Sequence, residues 1–309
     1  MNTILFLLLI GLPIAGSILC ALLRRRRMLE VVTLMSCGMT FLSGLWLAVL
    51  VSRKAALGPS TGLFFADALS AYIIVIVSGS ALVVALYSLS YLHRQIRSRK
   101  VDGRQLWLYY LLLNVFLFTM MIVLLSNNLG FLWIGTEATT LATAFLVGFY
   151  ERESSIEAAW KYLIICSVGI ALALFGVILT YFSALRVVAV SATALNWTVL
   201  MTVAEHLDPA TLKLAFVFLL IGFGTKAGLA PMHTWKPDAY SEAPAPISAL
   251  LAAGLVNVAM YSLMRFYALV NKAVGGNFAP TLFIVFGLLS MGIAVPFILL
   301  QRDFKRLLA

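Results

Sequence analysis

Charged residues are scarce in this sequence. Aspartate, glutamate, lysine and arginine together make up 11% of its 309 residues, whereas hydrophobic residues make up 62%. A soluble globular domain has roughly a quarter charged residues and about half apolar ones. A water-soluble chain of this length could not cover so large an apolar content with polar surface. The composition therefore excludes a soluble globular domain and predicts an integral membrane protein.

Cysteine is also rare, and its spacing excludes several kinds of site. Cys20, Cys37 and Cys166 stand singly in apolar runs, without the C-x-x-C or Cys/His spacing of an iron–sulfur or zinc site. The glycine pattern of residues 222–228 follows no strand and has the wrong spacing for a dinucleotide or phosphate loop. No flavin or haem signature is present. We therefore expect no metal, no cofactor and no catalytic redox centre in this chain.

The apolar segments have the length of transmembrane helices. A helix needs about 20 apolar residues to cross a hydrocarbon core of about 30 Å, whereas barrel strands would alternate over about ten residues. The sequence thus predicts an all-α, polytopic bundle of nine spans. The predicted spans are residues 3–22, 30–52, 66–92, 106–125, 128–149, 159–182, 211–230, 244–268 and 280–300. The connection 183–210 is predicted to lie on the outer face and to hold a short surface helix.

The net charge of +10 is concentrated in short loops, which indicates membrane topology and not a nucleic-acid partner. No basic residue precedes the first apolar run, so it is interpreted as a retained span and not as a cleaved signal peptide. With the N-terminus outside, the cytoplasmic loops hold Arg24–Arg27, Arg94, Arg97, Arg99, Lys100, Arg104, Arg152, Arg302, Lys305 and Arg306. The opposite loops hold only Arg53, Lys54, Arg186 and Lys272. This asymmetry predicts an outer N-terminus.

Three charged residues fall inside predicted spans. Glu137 lies in the fifth, Lys161 near the start of the sixth and Lys226 deep in the seventh. An ionised side chain at mid-membrane costs about 2.5–3.5 kcal/mol on insertion scales, so each needs a partner, water or an altered protonation state. One interpretation is a structural ion pair, for example between Glu137 and Lys161. The other is a proton pathway. The deep position of Lys226 favours this interpretation most strongly, because a buried lysine can gain and lose a proton near neutral pH. Lys161 lies near the end of its span, so its side chain could extend to the membrane surface.

The sequence around Lys226 predicts a broken helix. Three glycines within 222–228 and then Pro231 weaken a continuous helix, and broken helices at membrane depth line cavities or ion sites. His233 follows the break. Its ordinary pKa suits a proton relay, and a hydrogen-bonded structural histidine is the equal alternative.

Three runs carry a family resemblance. They are Trp133–Tyr150 (WIGTEATTLATAFLVGFY), Glu157–Gly169 (EAAWKYLIICSVG) and Gly222–Leu250 (GFGTKAGLAPMHTWKPDAYSEAPAPISAL). They resemble the antiporter-like subunits of respiratory complex I, group 4 membrane-bound hydrogenases and Mrp-type sodium/proton antiporters. Within that family the likeness is strongest to component F of hydrogenase-4, and it covers the chain from about Asp67 to the end.

The resemblance implies fourteen helices built around two inverted five-helix repeats, each with a broken helix. It implies an N-terminal segment over residues 1–105, a first repeat over 106–268 and the start of a second half over 269–309. Glu137, Lys161 and Lys226 match the glutamate and lysines of the family's fifth, sixth and seventh helices. In the family they form a proton path driven by electron transfer in neighbouring membrane subunits. The implied location is the cytoplasmic (inner) membrane of a bacterium or archaeon.

Two departures from the family pattern stand out. Many relatives have a titratable lysine or histidine in the eighth helix, where this chain has uncharged residues and Asn257. An asparagine could hold water in the path but cannot titrate. The sequence ends at Gln301–Ala309, where family members continue into the second repeat, so we expect a truncated chain with one half-channel that pumps nothing alone.

The sequence leaves three functions open. The first is a proton-translocating subunit of a hydrogenase or NADH–quinone complex. The second is a subunit of an Mrp-type cation/proton antiporter that carries protons or sodium. The third is a scaffold whose buried charges only fix helix packing.

Overall fold

The computed structural model describes residues 2–59, 62–188 and 191–308. Over these ranges nine helices are long and apolar enough to cross a membrane, counting the eighth span as one continuous helical run. The elements are α1 (Asn2–Leu22), α2 (Arg26–Lys54), β1 (Ala56–Leu57), β2 (Ala66–Asp67), α3 (Ala68–Arg97), α4 (Gly103–Leu125), α5 (Leu129–Val147), α6 (Glu153–Ala184), α7 (Trp197–Val203), α8 (Pro209–Ala227), α9 (Trp235–Glu242), α10 (Ala245–Leu250), α11 (Val256–Val274), α12 (Phe278–Leu300) and α13 (Phe304–Leu308). The predicted all-α bundle of nine spans is confirmed.

Side-chain caps fix where several spans begin. The carboxylates of Asp67, Asp102 and Asp208 accept hydrogen bonds from backbone N–H groups of the first turns of α3, α4 and α8. The Asn128 side chain does the same for α5. Such caps satisfy the otherwise unpaired N–H groups of a helix start. All four residues belong to connections between the spans, which is where polar groups are tolerated.

The short helix predicted in the connection between α6 and α8 is present. Within the described part of residues 183–210, α7 is flanked by 3₁₀ turns at Ser191–Thr193 and Ala204–His206. Residues 189 and 190 lie outside the described ranges.

Small residues let α6 and α8 pack closely. A Cβ added at Gly222 would lie 2.6 Å from the Gly169 carbonyl oxygen and 2.5 Å from Ala173 Cβ. One at Gly176 would lie 2.8 Å from the Ala215 carbonyl oxygen. Between membrane helices, close backbone approach of this kind provides the van der Waals contact that replaces a hydrophobic driving force. This packing sets the distance between side chains of α6 and Lys226 of α8.

The seventh span is broken just after Lys226. The helix α8 ends at Ala227, and Gly228 takes a left-handed conformation with φ of 82°. The N–H groups of Gly228 and Leu229 both donate to the Gly224 carbonyl at 2.8 Å, which closes the helix end. The chain then runs irregularly to α9. The broken seventh helix is therefore confirmed, and its first half ends three residues before the predicted limit of 230 because of this glycine cap.

The eighth span also departs from a regular helix. A π-helical turn at Leu251–Leu255 joins α10 to α11, and the helical run continues to Val274, beyond the predicted limit of 268.

A buried arginine joins this eighth span to the third. Arg265 of α11 donates two hydrogen bonds of 2.6 Å to the two carboxylate oxygens of Asp67, and a third to Ser70. Its guanidinium lies over the Trp197 ring at 4.3 Å and the Tyr261 ring at 4.9 Å. A bidentate pair with stacked aromatic faces satisfies a buried guanidinium. The pair fixes the N-terminal three helices against the eighth span.

Candidate functional site

Lys226 is fully buried in the last turn of α8. Its Nζ donates hydrogen bonds to Thr140 Oγ1 at 2.6 Å and to Tyr162 OH at 2.9 Å. The ammonium also lies 5.1 Å from the centroid of the Tyr162 ring. A buried ammonium is stable only when it is hydrogen-bonded, and the carboxyl end of a helix favours a cation. Helices α5, α6 and α8 each contribute one group to this arrangement.

Glu137 of α5 is partly buried and lies on the other side of Thr140. Its Oε2 accepts a hydrogen bond from Thr140 Oγ1 at 3.3 Å, and its Oε1 accepts one from Ser167 Oγ at 3.0 Å. A hydroxyl has one proton to donate and lone pairs to accept with. Thr140 therefore accepts from Lys226 and donates to Glu137, which joins the base and the acid through one hydroxyl.

The hydrogen-bonded chain continues beyond Lys226. Tyr162 OH lies 2.6 Å from Thr143 Oγ1, and Thr143 donates to the Thr139 carbonyl oxygen at 2.6 Å. Tyr162 therefore accepts from Lys226 and donates to Thr143. We call the sequence of groups Glu137, Thr140, Lys226, Tyr162 and Thr143 the relay chain. Alternating hydroxyl and ionisable groups of this kind can pass a proton by reorienting their hydrogen bonds.

Lys161 lies apart from the relay chain. Its side chain is 49% exposed, and its ammonium pairs with Glu157 at 2.7 Å and with Asp238 of α9 at 3.4 Å. Asp238 also pairs with Arg306 at 3.1 Å. The suggested ion pair between Glu137 and Lys161 is therefore wrong, because Lys161 is two turns into α6 and faces the charged end of α9.

His233 also has no contact with the relay chain. It lies in the irregular segment between α8 and α9, with its ring edge-on to Phe297 of α12 at 6.2 Å. Its Nδ1 is buried and makes no hydrogen bond to any residue that the structure describes. The ring lines a cavity of about 510 Å³ between the break in the seventh span and α12.

Asn257 is bonded within its own helix. Its side-chain amide donates to the Ala253 carbonyl oxygen at 2.7 Å, inside the π-helical turn. Within the described chain, no ionisable side chain of the eighth span joins the relay chain, and Arg265 of that span is bonded to Asp67 instead.

Sequence reasoning missed the hydroxyl groups that link the charged residues. Thr136, Thr139, Thr140 and Thr143 recur at three- and four-residue spacing around Glu137, and all four are buried. That spacing places hydroxyls along one face of a helix. The repeated threonines were the available signal for a polar stripe inside the membrane.

Comparison with known proteins agrees with this arrangement. Residues 126–309 match the family model described as NADH:quinone oxidoreductase/Mrp antiporter, transmembrane. The hydrogenase-4 component F homolog of Methylacidiphilum infernorum (isolate V4) is 39% identical over 251 residues, which are 81% of this chain and 53% of that relative. The chain therefore spans about half the length of that relative.

Two solved structures share the fold. The membrane-bound sulfane sulfur reductase, an archaeal respiratory membrane complex, contains a chain that superposes with a TM-score of 0.85 at 21% identity, over 100% of this chain and 62% of that one. Respiratory complex I from Thermus thermophilus contains one with a TM-score of 0.76 at 22% identity, over 98% and 60%. Together with the family match, these findings confirm the resemblance drawn from the three sequence runs. This chain is a multi-pass membrane protein of the NADH:quinone oxidoreductase/Mrp antiporter transmembrane family.

Proposed function

We propose that this chain is a proton-translocating membrane subunit of a redox-driven complex of the hydrogenase-4 or NADH:quinone oxidoreductase type. The observation that carries the proposal is the relay chain, in which one hydroxyl links buried Lys226 to Glu137. A scaffold would need only a direct ion pair to neutralise two buried charges. A hydroxyl between them adds a group that can exchange protons with both.

The relay chain gives each residue a definite task. Glu137, partly exposed, takes up a proton and releases it towards Thr140. Thr140 passes a proton to the neutral Lys226 amine and receives one from Glu137, so that no charged intermediate is left on the hydroxyl. Lys226 then holds the proton at the carboxyl end of α8, next to Tyr162. Electron transfer in neighbouring subunits would drive the change in proton affinity.

The partners, the orientation and the boundaries of the repeats are part of the same proposal. The family resemblance supports other membrane subunits as partners and the cytoplasmic membrane as the location. The distribution of basic loops supports an outer N-terminus. The family resemblance also supports 1–105 as the N-terminal segment, 106–268 as the first repeat and 269–309 as the start of a second half. Lys161 would then serve at the cytoplasmic side of the path, His233 would act as a relay residue beside the broken helix, and Asn257 would hold water beside the path.

The decisive experiment replaces Lys226 in the complete complex. We expect Lys226→Ala to reduce proton pumping by about a hundredfold or more, in the range of a lost acid–base group. Pumping is measured as acidification of inverted membrane vesicles, with electron transfer and subunit assembly measured in the same preparation. The control is Lys213→Ala, an exposed lysine near the outer end of the same helix. Normal pumping by an assembled Lys226→Ala complex would show that the chain is a scaffold.

The antiporter alternative shares the same residues and needs a different test. The matched family includes Mrp antiporters by description, so cation exchange without redox chemistry is the second candidate. Adding sodium to vesicles that lack an electron donor would then collapse a preformed pH gradient. A complex that pumps only with an electron donor and ignores sodium supports the redox-driven function. Neighbouring genes for a nickel–iron hydrogenase or for an Mrp cluster distinguish the two independently.

A further inference from the structure

A second lysine lies at the break in the seventh span. Lys236, in the first turn of α9, folds its side chain back over Gly228 at the end of α8. A Cβ added at Gly228 would collide with Lys236 Cδ and would lie 3.1 Å from its Nζ. The last carbonyl groups of a helix carry the negative end of its dipole, so this position favours a cation. The ammonium therefore lies beside the helix end that carries Lys226.

Lys236 is not neutralised by an acid. Within the described chain its ammonium has no carboxylate at ion-pair distance, and its contact is with the Tyr240 ring at 5.6 Å. The Tyr240 hydroxyl is buried and makes no hydrogen bond to any residue in the described ranges. Groups of this kind are normally hydrogen-bonded to protein or water. Lys226, by contrast, makes two hydrogen bonds to protein.

The cavity next to Lys236 has room for water and contains a second titratable group. Its volume of about 510 Å³ is lined by Lys236, His233 and Ser290 among others. This is enough for several water molecules, each of which occupies about 30 Å³ in the liquid. The buried Nδ1 of His233 faces no hydrogen-bond partner within the described chain. A lysine and a histidine thus line one cavity that has room for water.

We propose that Lys236 and His233 form a second protonation site, in a hydrated cavity between the broken seventh span and α12, which receives protons from the relay chain. The proposal rests on the proposed function. In this step the Lys226 ammonium loses a proton to water, the neutral Lys236 amine gains one from water, and Lys236 passes it through cavity water to the neutral His233 ring. One positive charge moves, and no electrons are transferred.

This site supplies the titratable group that is missing at the position of Asn257 in the eighth span. Asn257 cannot carry a proton onward, and its amide is bonded to Ala253. Lys236 lies on α9, just after the break in the seventh span, and carries the proton onward in place of a residue of the eighth span. The proton would therefore leave the relay chain on the side of α12.

Trp235 controls passage between the two lysines. Its ring packs on Tyr162 of the relay chain at 4.9 Å and on Tyr240 beside Lys236 at 6.1 Å. Its Nε1 donates to the Thr225 carbonyl at 2.8 Å and so is not free to carry a proton. Transfer between the two sites therefore requires water to pass beside this ring.

The test compares two substitutions of Lys236 in the complete complex. Lys236→Met removes the charge but keeps the stem, and Lys236→Arg keeps both charge and stem but cannot release a proton. We expect both to lower the ratio of protons pumped to electrons transferred by at least about tenfold. Lys236→His should retain part of the pumping. Lys213→Met is the matched control. Normal pumping by Lys236→Arg would mean that the lysine acts only as a structural charge.

Comparison with Lys226→Ala separates this proposal from the proposed function. Normal pumping by Lys226→Ala would overturn both. Loss of pumping in Lys226→Ala together with normal pumping in Lys236→Met would overturn the second site alone.

A labelling experiment tests the cavity even where the Lys236 variants fail to assemble. In the assembled complex, Ser290→Cys should react with a small, positively charged thiol reagent. The parent chain is the control, since its cysteines at 20, 37 and 166 are buried. Labelling of Ser290→Cys no greater than that of the parent would show that the cavity is dry and would overturn the proposal.

Discussion

Lys226 and Glu137 are linked through Thr140 and not by a direct ion pair. Thr140 Oγ1 accepts from the Lys226 ammonium at 2.6 Å and donates to Glu137 at 3.3 Å. A direct pair of buried charges would hold the lysine protonated and the glutamate ionised. With a hydroxyl between them, each group can change its protonation state while the hydrogen-bonded connection persists. This geometry makes Thr140 the most informative residue to change.

Thr140→Val should uncouple the two charged groups. Valine has nearly the same shape as threonine but has no hydroxyl, so the helix is kept and the link is lost. We expect proton pumping to fall by about ten- to a hundredfold, the scale of a missing proton-transfer group. Leaving the buried ammonium short of one partner should also cost about 1–3 kcal/mol of stability.

Thr136→Val is the matched control for that prediction. Thr136 is buried on the same helix and donates its hydroxyl to the Leu132 carbonyl, outside the relay chain. Equal pumping by the two valine variants, measured as vesicle acidification, would show that Thr140 carries no proton.

Glu137 should depend on its ability to titrate. Glu137→Gln keeps the size of the side chain and one of its two accepting oxygens but cannot exchange a proton, so we expect a large loss of coupled turnover. Glu137→Asp keeps the acid on a shorter stem and should lose less. The control is Glu205→Gln, at an exposed position in the connection between α6 and α8. Equal, near-normal rates for both Glu137 variants would contradict a proton role for this residue.

The Asp67–Arg265 pair should stabilise the fold above acidic pH. Partial burial acts to raise the pKa of Asp67, but the hydrogen bonds and charge of Arg265 outweigh it and hold the pKa below its ordinary 3.8. A carboxyl whose pKa is lowered on folding contributes stability above its unfolded pKa, and that contribution is lost as pH falls through the folded pKa. We therefore expect Asp67→Asn to lower the free energy of unfolding by about 2–3 kcal/mol near pH 7, because it leaves a buried guanidinium unpaired.

Thermal unfolding in detergent at a series of pH values checks this prediction. The difference between the parent and Asp67→Asn should be constant near neutrality and should shrink as the pH falls below about 3.8 and through the lower folded pKa of Asp67. The double variant Asp67→Asn/Arg265→Met removes both charges and should recover part of the loss. A difference that stays the same down to the lowest pH would mean that the ion pair contributes nothing.

Gly222→Ala should separate α6 from α8 and thereby disturb the relay chain. The added Cβ would lie 2.6 Å from a backbone oxygen of α6, which cannot rotate away as a side chain could. We expect a loss of about 1–3 kcal/mol of stability. Pumping should also fall, because the hydrogen bond from Lys226 on α8 to Tyr162 on α6 depends on this distance. Gly287→Ala on α12, where the added Cβ meets nothing within 4 Å, is the control for both measurements.

The sequence by itself determined the class of the protein and most of its helices. In hydrocarbon every backbone N–H and C=O must be bonded within its own segment, so a long apolar run has little choice but to be a helix. The glycines around Lys226 also predicted the break, because only glycine adopts the left-handed turn found at Gly228 at little cost. The family resemblance then matched Glu137 and Lys226 to the glutamate and lysine of the family's fifth and seventh helices.

Only the tertiary structure decided which polar groups meet. Hydropathy placed both Lys161 and Lys226 within predicted spans, yet Lys161 is exposed and paired with Glu157, whereas Lys226 is buried against Thr140. Arg265 and Asp67 are 198 residues apart, and no local pattern connects them. Hydropathy predicts that a helix crosses the membrane. It does not predict the rotation of the helix about its own axis or its shift along that axis relative to a neighbouring helix. Those two quantities are set by close packing between helices, as between α6 and α8, and they decide which hydroxyl lies beside which charge.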